Sequence, residues 1–133
     1  MNKQNQHENK VKDYGSTLES LHEQINHIPV KSKDQKEYTE GYLLVSGGAL
    51  AAIKGFLGED NLCKDYPSRL REMRSDYHKK YLLLKKAEKG AFNDGQYRAA
   101  RDVHKGLDTL IESIAHDELQ KLEKRQQTPQ RRR

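Results

Sequence analysis

The stretch Tyr42–Phe56, YLLVSGGALAAIKGF, decides the fold. It is the one strongly apolar run in a chain that is 33% hydrophobic and 34% charged. Its three glycines raise three readings: a phosphate loop, a membrane span, or a helix that packs closely. A P-loop needs Gly, four residues, then Gly-Lys-Ser/Thr. Here Lys54 precedes Gly55 and Phe56 follows, so that pattern fails. A membrane span needs about 20 apolar residues, and this run is shorter and includes Lys54. Close packing remains. Leu43, Leu50, Ile53 and Leu57 form one helical stripe, and Val45, Ala49 and Phe56 a second. A helix apolar nearly all round is a buried one. Gly47, Ala51 and Gly55, four apart, make a smooth third stripe. Glycine costs about 1 kcal/mol against alanine inside a helix. Gly47, Gly48, Ala51 and Gly55 are therefore expected to admit the backbone of a neighbouring helix, from the same chain or from a second copy.

Working outward, Ser16-Thr-Leu-Glu19 has the capping-box pattern, and Leu18, Leu21, Ile25 and Ile28 follow at helical spacing. Pro29 ends that helix. The run itself predicts a second helix over 34–57. Pro67 suits the first position of a third, with Leu70, Met73, Tyr77, Tyr81 and Leu84 on one face and Gly90 as its C-terminal cap. A fourth runs from about Asp94 to Arg125, with Tyr97, Leu107, Leu110, Ile111, Ile114 and Leu122 inward; at that length it is expected to bend near Gly106 or to project beyond the bundle. No alternating β-branched run competes. The expected fold is all-α, an antiparallel bundle of about four helices. Residues 16–125 form the bundle domain, 1–15 a flexible N-terminal tail and 126–133 a basic, flexible C-terminal tail.

A chain of 133 residues is one small domain, which oligomerisation would help to stabilise. The net charge of +5 resides in Lys121–Arg133, because residues 1–120 carry nineteen basic and nineteen acidic side chains. A neutral folded part weakens the case for nucleic acid as partner. One thiol, Cys63, cannot form an internal disulfide, so the chain fits a reducing compartment. Its neighbours Asp60 and Asp65 would raise the thiol pKa and blunt its reactivity. The opening residues have no apolar signal-peptide core, which points to the cytoplasm.

Candidate chemistry is sparse. Glu19-x-x-His22 has the spacing of half a di-iron site, but no second copy exists. His104, Asp108, Glu112 and His116 form a slanting row whose charges are expected to pair with the third helix. The third helix, 69–89, carries net +5 and the fourth, 94–120, net −3. No catalytic signature is present, and neither a metal nor another cofactor is implied. The Leu82-Leu83-Leu84 run sweeps about 200° of the helix, more than one flank of a small bundle encloses. Leu82 and Leu83, with Tyr77 and Tyr81, are the expected partner patch. The alternative is nucleic-acid association through Arg69, Arg71, Arg74, Lys79 and Lys80 with the tail residues Arg131, Arg132 and Arg133, phosphates taking the charge and tyrosines the bases.

The terminal segment HDELQKLEKRQQTPQRRR sets Asp117, Glu118 and Glu123 shortly before a polar end. It resembles the C-terminal translocation signal of type IV secretion effectors from intracellular bacteria, as does the Asn/Lys/Gln/His-rich helical composition. The resemblance implies no catalytic residues. It implies export by a non-Sec route and a role as inhibitor, adaptor or regulator of another protein. The sequence reading is thus a non-catalytic interaction module that forms a homodimer or docks on a protein partner.

Overall fold

The computed structural model describes residues 3–57 and 65–131. Cys63, Arg132 and Arg133 lie outside the described residues. Four helices form in order: α1 Lys3–Asn26, α2 Lys33–Leu57, α3 Tyr66–Lys86 and α4 Ala91–Arg131. Among the described residues there is no strand. The fold is the all-α four-helix bundle that the periodicity predicts. No helix is long and apolar enough to cross a membrane, among the described residues.

The start of α1 corrects the expected tail over 1–15. The helix begins at Lys3, and His7, Val11 and Gly15 are buried on the same face as Leu18. Spacings of four, four and three carry one stripe through the whole helix. Only one valine marks that face before Leu18, which is why the segment reads as polar. Lys10 ties the segment to α4, donating from Nζ to Ser113 Oγ at 2.7 Å and pairing with Asp117. Ser16-x-x-Glu19 therefore lies mid-helix and caps nothing. The working cap of this pattern is at Ser32, whose Oγ accepts the Gln35 N–H at 3.1 Å and starts α2.

Pro67 sits in the first turn of α3, as expected. Gly90 does not cap α3: that helix ends at Ala87, in extended backbone. The Gly90 carbonyl instead accepts the Asp94 N–H at 2.8 Å and opens α4. The expected boundary at 125 is also crossed, because α4 continues unbroken to Arg131. At 1.5 Å per residue that helix is about 60 Å long.

The most extensive contact is between α2 and α4, and α3 packs chiefly on α4, while α1 lies against α2 and, more lightly, α4. One core cluster joins all four helices through Val11, Leu18, Ile53, Leu70, Met73 and Leu107, with others. A smaller one holds Tyr42, Val45, Ala99 and Ala100 at the α2–α4 crossing. That crossing depends on two glycines. A Cβ on Gly41 would run into the Phe92 carbonyl, and a Cβ on Gly95 into the Tyr38 carbonyl. The two helices meet backbone to backbone there, reciprocally. Gly106 has a similar task inside unbroken helix: a Cβ there would stand 2.5 Å from the Tyr14 ring, whose hydroxyl donates to the Val103 carbonyl at 3.2 Å.

Candidate interaction surface

The close-contact expectation for Gly47, Gly48, Ala51 and Gly55 is corrected within the chain. A Cβ on Gly55 would meet nothing within 4 Å, and Ala51 and Gly48 are exposed. Gly47 and Gly48 have ordinary neighbours only, His22 at 3.5 Å and Tyr77 at 3.6 Å. The reason is rotational. Val45, Ala49, Ile53 and Phe56 take the core side of α2, and the small stripe lies round the helix from them.

Leu82 and Leu83, the expected partner patch, are 41% and 72% exposed, whereas Leu84 is half-buried against the smaller cluster. Tyr77 and Tyr81 do not join that patch as free rings. Tyr77 is half-buried and packs against both core clusters. Burial pushes its hydroxyl pKa up, with the Asp76 charge adding to the effect. Tyr81 stacks on Tyr97 with ring centroids 5.1 Å apart. The Tyr97 hydroxyl donates to the Tyr81 oxygen at 3.4 Å. That bond favours ionised Tyr81 and lowers its pKa, helped by Lys85, Lys105 and Arg101. His78 and His104 extend this α3–α4 seam, their ring centroids 4.6 Å apart.

The cations of the nucleic-acid reading divide. Arg69 Nε pairs with Asp65 at 2.9 Å and Arg74 Nε with Asp108 at 3.6 Å. Among the described residues Arg71, Lys79 and Lys80 make no ion pair. Arg131 closes α4.

In the row on α4, Asp108 pairs with Arg74 of α3 and also lies 3.6 Å from His104, whose ring meets His78 of α3. Glu112 and His116 are exposed. Glu19 is exposed too, while His22 turns to Ser46 of α2 at 2.6 Å. Among the described residues no group of three or more His, Cys, Asp or Glu side chains is placed to hold a metal ion.

Two features escaped the sequence reading. Leu44 is 62% exposed, since it belongs to the small stripe of α2 and not to the core stripes. Tyr42 donates to Asp102 Oδ2 at 3.0 Å, and Arg98 and Arg101 flank that carboxylate at 3.6 and 3.8 Å. Neither partner of that bond carries a local signal. The candidate surface is thus the outer side of α3, where Lys79, Lys80, Leu82 and Leu83 are exposed together.

No family model, curated protein or solved structure matches the chain.

Proposed function

We propose that this chain is a helical protein-interaction module without a catalytic role, acting as an adaptor or inhibitor of a partner protein. The observation that carries this reading is the exposure of Leu83 and Leu82 amid Lys79, Lys80, Lys85 and Lys86, none of which has an ion-pair partner among the described residues. A leucine surrounded by cations on an exposed helix face suits a partner with an apolar pocket and an acidic rim. The resemblance of the terminal segment to translocation signals supports a partner in a recipient cell. The test places a photo-crosslinking amino acid at Leu83 and, as a control, at the exposed Ala115 of α4. A discrete protein adduct from position 83 alone is expected. Equal labelling from both positions, or none, removes the reading.

A second reading is nucleic-acid association. It is favoured by Arg71, Lys85 and Lys86 of α3 and Lys89 just beyond it, none of which has an acidic partner among the described residues. The burial of Tyr77 and the Tyr81–Tyr97 stack take away the rings that bases would use. Binding measured across salt separates the two. Phosphate contact gives a steep decline with ionic strength, whereas an apolar anchor changes little.

A further inference from the structure

The side of the bundle between α2 and α3 combines three properties. On α2, Leu44, Gly48, Ala51 and Gly55 fall within about 60° of arc, and Gly48 in that arc faces Tyr77 of α3. On α3, Glu72, Asp76, Lys80 and Leu83 fall within about 80° and border the same seam. The helices run in opposite directions along it: Gly48 lies by Tyr77, and Phe56 shares a groove with Met73 and Ser68.

The seam therefore has two unlike ends. One carries the exposed Leu83 beside Lys79 and Lys80, with Asp76 between the two ends, and the exposed Leu44 four residues before Gly48 on α2. The other is a trough of about 530 Å³ floored by Ala52, Phe56 and Met73 and rimmed by Glu72 and Asp76, with Arg69 and Asp65, which pair with each other, also on its edge. None of Glu72, Asp76, Lys79 and Lys80 makes an ion pair within the monomer, among the described residues. Asp76 and Lys80 stay apart although they are four residues apart on one helix. Glu40, one turn beyond Leu44, lies at the outer margin of the knob end.

A surface with knobs and cations at one end, and a smooth trough and anions at the other, is complementary to itself when turned end for end. A two-fold axis supplies that operation, since an isologous interface sets residue i on j and j on i. We infer that a second copy of this chain docks antiparallel on the α2–α3 face, its Leu44 and Leu83 entering the trough and its Lys79 and Lys80 meeting Glu72 and Asp76. This rests on the reading of α3 as a docking element and names its occupant. The exposed small residues of α2 lower the steric barrier to a helix laid across them.

Sedimentation equilibrium on the full chain tests this. The wild type is expected to be a dimer. Lys79→Glu/Lys80→Glu sets acids opposite the partner copy's Glu72 and Asp76, and Glu72→Lys/Asp76→Lys sets cations opposite its Lys79 and Lys80. Each should weaken self-association by roughly 100-fold, through like charges brought opposite each other. Mixed in equal amounts, the two variants should restore a heterodimer. All four sites are exposed or at a rim, so both variants should keep the wild-type helical content by circular dichroism. A monomeric wild type overturns the inference, as does a dimer indifferent to either reversal, or a mixture that stays apart. If the wild type is monomeric while position 83 crosslinks to a different protein, the second copy is lost and the interaction reading stands.

Discussion

At the scale of single residues, two glycines and two tyrosines hold most of the consequence. Gly41 and Gly95 face each other's helix backbone, so Gly41→Ala or Gly95→Ala forces α2 and α4 apart. Overpacking a core costs about 1–3 kcal/mol, and a clash with backbone carbonyls belongs at the upper end. Gly55→Ala meets nothing and should stabilise by about 1 kcal/mol, the helix-propensity difference. Urea unfolding at low protein concentration should show these opposite signs; a Gly95→Ala protein as stable as wild type would refute the crossing. Tyr14 and Tyr42 add a pH dependence. Burial raises both hydroxyl pKa values well above the ordinary value, and Asp102 adds to the rise at each. A group with a raised folded-state pKa gives stability that is complete below its unfolded pKa and is lost as pH rises toward the folded value. Stability should therefore fall above about pH 10, where unfolded tyrosine ionises. The Tyr14→Phe/Tyr42→Phe double variant should be less stable at pH 7 and lose less on going to pH 11. Equal slopes for both proteins would show that other groups cause the alkaline loss.

At the scale of elements, the four helices could be read because leucine and isoleucine mark their inner faces at three and four residues. Leu107, Leu110, Ile53 and Leu70 are buried as that spacing requires. What the pattern missed was carried by small or polar residues. Ala99, Ala100 and Gly95 line the α2–α4 crossing with almost no hydrophobic signal. His7 is 2% exposed, yet it reads as a polar residue of a tail. The stripe of Gly47, Ala51 and Gly55 erred the other way. Small residues mark a place where a helix can be approached, and spacing alone does not say whether anything approaches. The exposed Leu83 was legible because three consecutive leucines cannot share one flank of a helix. The first half of α1 offers the sharpest test at this scale. Val11→Ala should cost roughly 2 kcal/mol, as a buried aliphatic truncation does, and removal of residues 1–12 should cost more. A truncated chain with unchanged thermal stability would return the segment to the status of a tail.

At the scale of the whole molecule, charge and fold are separated along the chain. Residues 1–120 are electrically neutral and contain all the core residues of both clusters. The excess of +5 lies in 121–133, which α4 carries as helix to Arg131. The last tertiary anchor along α4 among the described side chains is Asp117, held by Lys10. The hydrogen bond from Lys10 lowers the pKa of that carboxyl, so this anchor is present above the ordinary carboxylate range and weakens as pH falls through it. A chain ended after Gln120 keeps this anchor and loses the whole net charge. It should unfold within about 0.5 kcal/mol of the full chain at neutral pH, since the described core residues and the Lys10–Asp117 anchor all lie before residue 121. Its affinity for a phosphate polymer such as heparin or single-stranded DNA should collapse, because such affinity follows the number of phosphates neutralised. Its self-association should persist, because Glu72, Asp76, Lys79, Lys80, Leu44 and Leu83 all remain. Polymer binding that survives the truncation would place phosphate contact on α3, and then the cations of α3 would serve nucleic acid in preference to a second copy.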